Sequence, residues 1–204
     1  MIRKFLIVFT VVLIAAGSMV QAEPVKSMSA TNVGTSFGGG IGSVLTMNGV
    51  GGINCEYLSG FVNTYGNAQF GLNTTLMSDN SSGSIASGDF AGGSFSYMDA
   101  GSNVLLSGTI VSFNLTEIYD NSGMFAGQGY FNVSGGTLQP DFGSIGSLGK
   151  LVDITFSVTP NTISNFSSSF LASTNMTVLP VPEPATIALL TMGALALLKR
   201  KNSK

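Results

Sequence analysis

The chain has 204 residues, no histidine, one cysteine and a formal net charge of −2 at pH 7. Without histidine, neither a Ser-His-Asp triad nor a Cys-His pair can be assembled, and the lone Cys55 excludes an intramolecular disulfide. Arg3, Lys4, Lys199, Arg200, Lys201 and Lys204 sit at the two ends, so the middle carries two bases against nine acids, a net of −7, and lacks the basic patch that a nucleic-acid partner would need.

The chain starts with a basic Met1-Ile2-Arg3-Lys4, continues through an apolar run from Phe5 to Ala16 broken only by Thr10, and reaches Val20-Gln21-Ala22. This order reads as a signal peptide over residues 1–22, cut by signal peptidase between Ala22 and Glu23. The apolar run falls short of the roughly 20 residues that cross a bilayer, which favours a cleaved leader over a retained anchor. No cysteine stands near the cut, so lipoprotein acylation has no thiol to act on.

Residues 23–180 form the ectodomain, a length at which on the order of 70% of the unfolded chain's surface is buried and a hydrophobic core suffices without staples. Cys55 is expected as a buried free thiol. Charged residues are few, and abundant Gly, Ser, Thr and Asn lower helix propensity in favour of strands and tight turns.

In chain order, the glycine-rich stretch Asn32 to Gly52 reads either as a flexible lead-in or, from Val44, Leu45 and Met47, as a first strand. A short apolar pair follows at Phe95 and Tyr97. Val111, Phe113 and Leu115 then alternate with Ser112, Asn114 and Thr116. Phe131 and Val133 repeat the pattern. Val152, Ile154, Phe156 and Val158 alternate with Asp153, Thr155, Ser157 and Thr159, and Met176 with Val178 closes the series.

Each set places apolar side chains on one strand face. The expectation is an all-β ectodomain, an antiparallel β-sandwich or jelly-roll-like fold. A β-solenoid is the competing architecture, but no fixed period supports it.

The middle contains no arginine, so the bidentate clamp for phosphate or carboxylate substrates is missing, and Gly38-Gly39-Gly40 is not followed by the Gly-Lys-Ser/Thr of a phosphate loop. No enzyme and no cofactor are expected. The residual catalytic reading is a glycosidase with two carboxylates about 5 to 10 Å apart. Calcium would fall to Glu117, Asp120 and Asn121 with Asp141 further on, but no EF-hand pattern is present and solvated carboxylates are the simpler reading.

Tyr57, Tyr65, Tyr97, Tyr119 and Tyr130 read as exposed rings able to stack on sugars, although sheet packing accounts for tyrosines equally well and tryptophan is absent. Asn-x-Ser/Thr occurs at Asn73, Asn80, Asn114, Asn132, Asn165 and Asn175, mostly a product of the composition.

Residues 181–204 begin with Val181-Pro182-Glu183-Pro184, continue through fourteen uncharged residues from Ala185 to Leu198, and end on Lys199-Arg200-Lys201. The prolines hold Glu183 extended. A helix of fourteen residues reaches about 21 Å against a hydrocarbon core of about 30 Å, so the segment reads as a short apolar helix that stops transiently in the membrane, with the basic cluster on the cytoplasmic side.

In Pro182, Glu183 and Pro184, the apolar segment and the basic Lys199, Arg200 and Lys201, the tail resembles the PEP-CTERM sorting domains. Leu179-Pro180 lacks the threonine and glycine of a sortase motif. The resemblance implies recognition and cleavage by exosortase, a membrane transpeptidase-like enzyme of exopolysaccharide-producing Gram-negative bacteria. It further implies an exported protein at the outer surface or in the extracellular matrix, structural or adhesive among exopolysaccharide in a biofilm. The alternative role for the ectodomain is a carbohydrate-binding module, and the alternative for the tail is a permanent anchor.

Overall fold

Eight long strands follow one another in the computed structural model, which describes residues 24–143, 146–159 and 163–181. They are β1 (Val25–Phe37), β2 (Val44–Tyr57), β3 (Val62–Asp79), β4 (Ser87–Met98), β5 (Val104–Glu117), β6 (Met124–Gly135), β7 (Leu148–Thr159) and β8 (Phe170–Pro180), with one short helix, α1 (Gln139–Phe142), before β7. The expected signal peptide with its expected cut between Ala22 and Glu23, and the tail from Pro182 onward with its expected helix, lie outside the described residues.

Each strand pairs antiparallel with the next, and β1 pairs antiparallel with β8 from Met28 opposite Val178 to Phe37 opposite Phe170, so the sheet closes into a barrel. The all-β, antiparallel expectation holds, but the sandwich or jelly roll is corrected to an up-and-down barrel. Period-2 alternation buries one sheet face in either architecture, so it does not tell two packed sheets from one sheet rolled on itself. The stretch Asn32 to Gly52 is no flexible lead-in: it lies in β1, the β1–β2 connection and β2.

Closure needs curvature, and register shifts interrupt every strand pair. Asn32 in β1 and Asn67 in β3 take positive φ, 58° and 53°, at such irregularities, a conformation asparagine tolerates better than most residues. Two shifts overturn the alternation expected from sequence. Between Ile110 and Ser112 the β5 phase slips, so Ile110, Phe113 and Leu115 point inward while Val111 is exposed. Between Val152 and Thr155 the β7 phase slips likewise, so Leu151, Ile154 and Phe156 are buried and Val152 sits on the outer wall. Phe95 with Tyr97, Phe131 with Val133 and Met176 with Val178 all face the core as expected.

An eight-stranded barrel encloses little more than the volume of its own side chains, and here they occupy it. Phe95 and Phe131 meet edge to face with centroids 4.3 Å apart. That contact requires Gly108 and Gly149: a Cβ on Gly149 would stand 2.1 Å from the Phe131 ring, and one on Gly108 2.4 Å from that of Phe95. At the β1–β8 seam the Thr35 and Thr174 hydroxyls, both buried, bond to each other. Outward positions are mostly Ser, Thr and Asn, the reverse of the lipid-facing apolar band of a membrane-spanning barrel.

The two mouths are closed differently. At one, Phe166 from the β7–β8 connection inserts among Phe37, Phe90, Phe125 and Phe170, with centroids 5.5 to 6.1 Å away. Its N–H donates to Asp79 Oδ2 at 3.0 Å, and its carbonyl accepts from the Gly40 N–H at 2.7 Å. At the other, α1 closes the barrel with buried Leu138 and Phe142, and the Leu138 N–H donates to the Leu105 carbonyl at 2.8 Å. Both ends of the described chain, Pro24 and Val181, lie at this second mouth, here called the terminal mouth.

Candidate functional site

The hollows among the described residues lie on the outer wall. Over β3 to β7 it carries two confluent hollows that share Asn114 and Gln128. One extends to Thr116, Ala126, Lys150 and Thr155, and the other to Met77, Asp89, Ala91 and Tyr130. Strand alternation aims these side chains outward, and small Ala91 and Ala126 leave the wall low between the larger ones.

A hydrogen-bonded relay organises the floor. Ser87 Oγ lies 3.0 Å from Thr116 Oγ1, which donates to Asn114 Oδ1 at 3.1 Å. The Asn114 amide donates to Asp89 Oδ1 at 2.8 Å, and Asp89 Oδ2 accepts from Asn80 at 2.5 Å and Ser78 at 3.3 Å. These donors, Asn114 foremost, hold the Asp89 carboxyl below the usual carboxylate range. Nearby, Lys150 Nζ stands 6.0 Å from the Tyr130 ring centroid. A fixed carboxylate, oriented amides and a half-covered ring can bind hydroxyl-rich ligands by hydrogen bonds and ring stacking.

A glycosidase's general acid needs a raised pKa, whereas Glu56, held down first by Lys26, and Asp99, held down first by Asn103, shift in the same direction as Asp89. Lys26 and Glu56 form an ion pair at 2.7 Å. Glu117, read as a solvated carboxylate with calcium ligation as the lesser alternative, is instead 3% exposed and spans two loops, accepting the Gly123 N–H at 2.8 Å and the Ala86 N–H at 3.3 Å.

Asp120 and Asn121 sit in the adjacent β5–β6 turn. Asp141 belongs to α1 at the terminal mouth, the length of β5 away from Glu117, about 40 Å at strand rise. The structure therefore does not gather these four residues, and the described residues contain no cluster of three or more Asp, Glu or Cys side chains.

Of the five tyrosines, Tyr119 and Tyr130 are exposed and Tyr57 and Tyr65 are half-buried. Tyr97 is 0% exposed and packs on Phe70 with centroids 4.9 Å apart, which corrects its reading as a sugar platform. Cys55 is a buried free thiol, as expected, its pKa pushed up by burial. Asn73, Asn114, Asn132 and Asn175 lie on strands with the middle residue of each triplet buried, so Asn and Ser/Thr share the outer face: polar-apolar-polar alternation generates the triplet by itself. Gln128 and Ala91 escaped sequence reasoning because nothing local marks them; they matter only through neighbours on adjoining strands.

The functional feature at the chain's end has a different geometry. β8 runs to Pro180, opposite Gly149, and the Val181 N–H still donates to the Leu148 carbonyl at 3.0 Å. Residues 180–201 match the family model of the PEP-CTERM protein-sorting motif. The chain carries a PEP-CTERM sorting motif. Pro182, Glu183, Pro184, Lys199, Arg200 and Lys201 all fall within the matched span. The PEP-CTERM motif implies an exported, envelope-associated protein targeted by exosortase. Its first residue, Pro180, ends β8 and the next is hydrogen-bonded to β7, so the matched span begins on the barrel itself. No characterised protein and no solved structure matches the chain.

Proposed function

We propose that this protein is a non-catalytic surface protein. It is exported behind a signal peptide, cut by exosortase at Pro182-Glu183-Pro184, and left at the outer surface or in the matrix of a Gram-negative biofilm as a structural or adhesive element among exopolysaccharide. The observation that carries this reading is the PEP-CTERM motif joined directly to a closed barrel with a filled interior. Such a body packs apolar side chains inside and presents a hydroxyl- and amide-rich exterior suited to display. Intact mass of the protein from cells with and without exosortase tests it. Loss of the tail only when the enzyme is present is expected, and retention of Lys199 to Lys204 in both samples would leave a permanent anchor.

A second reading, a carbohydrate-binding module, is favoured by the relay from Ser87 to Asp89 beside exposed Tyr130. Binding to a subset of glycans, lost in Gln128→Ala and Tyr130→Ala, is its expected result on an array read with and without calcium. A flat response across glycans sinks it and leaves the coating role.

A further inference from the structure

The end of the barrel from which the tail departs carries exposed apolar side chains. The β2–β3 hairpin presents Leu58, 66% exposed, and Phe61, 62% exposed, followed by half-exposed Val62. The hairpin is tied to the residue before β1, because the Leu58 N–H donates to the Pro24 carbonyl at 3.1 Å. Across β1 and β8, Leu148 is also exposed, and its carbonyl holds Val181. Adjacent strands β7, β8, β1 and β2 thus bracket the exit point with apolar groups.

Chain length says what covers them. Between Val181 and Ala185, where the uncharged apolar run begins, stand only Pro182, Glu183 and Pro184. Four residue steps reach at most about 14 Å. A segment that partitions into lipid at Ala185 therefore holds this rim at the headgroup layer, where apolar side chains gain by leaving water. Of the charged groups at this mouth, Glu56, opposite Val62, is paired with Lys26 at 2.7 Å, Asp141 of α1 lies within electrostatic reach of Tyr57, and Asp99 of the β4–β5 hairpin lies four strands away from β8.

We infer that, before its tail is removed, the protein rests with the Leu58–Phe61 hairpin in the interfacial region of the bilayer, so that the barrel stands on its terminal mouth with Phe166 pointing away. This rests on the reading of the tail as a membrane stop. The short tether sets the distance, and the apolar rim sets which side of the mouth touches lipid.

The test uses the full chain in phosphatidylcholine vesicles, with a thiol-linked fluorophore on Val62→Cys or, at the opposite mouth, on Ile41→Cys; native Cys55 is buried and does not compete for label. Brominated lipids are expected to quench the Val62→Cys label several-fold more than the Ile41→Cys label. Adding Leu58→Asp and Phe61→Asp, both on exposed positions, is expected to abolish that difference.

Equal quenching at the two mouths, or quenching unaffected by the double substitution, overturns the inference. A Val62→Cys label shielded from both lipid and aqueous quenchers overturns it in favour of a protein partner or second copy, and failure to co-sediment with vesicles overturns it together with the membrane stop. Because no exosortase is present, the outcome is independent of whether cells process the tail; an intact-mass failure would remove processing and leave this contact standing.

Discussion

The two mouths of the barrel solve one problem, closing an open cylinder, with different chemistry. The Phe166 mouth is sealed by a ring cluster, in which Phe125 stacks on Phe156 at 4.8 Å, Phe170 lies against both and Phe166 caps the group, with the buried Glu117 carboxylate held beside it by two loop N–H groups. The terminal mouth is closed by a four-residue helix over a mixed set that includes Cys55, Tyr57, Tyr65 and Tyr97, with polar atoms taken below the surface. At one mouth the buried carboxylate of Glu117 is met by two N–H groups; toward the other, where both ends of the described chain lie, the Tyr97 hydroxyl is buried without a partner.

The sharpest way to break this contrast is truncation on each side. Phe166→Ala should lose about 3 to 5 kcal/mol in equilibrium denaturation, the range for a fully buried ring, and Phe142→Ala in α1 should lose less. Equal losses would mean that the helix is as much a keystone as the ring cluster.

Next in size is Glu117→Ala, which leaves the Ala86 and Gly123 N–H groups without their carboxylate at the Phe166 mouth; about 1.5 to 3 kcal/mol is expected from the same measurement. Amide exchange should rise at those two residues first.

The terminal mouth should answer in the opposite sense. The Tyr97 hydroxyl is buried without a partner, so Tyr97→Phe should stabilise by about 1 kcal/mol, by removing an unmet desolvation cost. A destabilisation of that size would place a buried water on the hydroxyl.

Smallest is the effect of Asp89, on neither mouth. Its folded pKa is depressed, so its contribution is present above the unfolded value, about 3.9, and is lost as pH falls through the folded value. Wild type should therefore lose stability below about pH 4 more steeply than Asp89→Asn, by a margin reduced by solvent screening at this exposed site. Thermal midpoints across that window, at low and high salt, measure it.

Much of the wall was legible in the sequence. Phe131 with Val133 and Met176 with Val178 announced inward faces correctly, because a strand's alternation is a local property. Val111 and Val152 failed for an equally physical reason: each adjoins a register shift, and one extra residue reverses every side chain beyond it. Tyr97 has two readings in the sequence: its pairing with Phe95 puts it inward, which holds, while its reading as a sugar-stacking ring ignores that phase and fails. The outer relay was illegible, since Ser78, Asn80, Asp89 and Asn114 become neighbours only through the pairing of β3, β4 and β5.

What the sequence determined by itself is therefore what is read along the chain: strand periodicity, a polar exterior, and a sorting signal whose order of proline, apolar run and basic cluster is recognised as a linear segment. Tertiary structure alone decided that the sheet closes. Pairing Met28 with Val178 joins residues separated by nearly the whole ectodomain, and it depends on accumulated bulges, on glycines that admit Phe131, and on eight strands coming into register together. The same closure set Pro180 into the wall and brought the apolar hairpin beside the tail, since only a rolled sheet returns its last strand to its first.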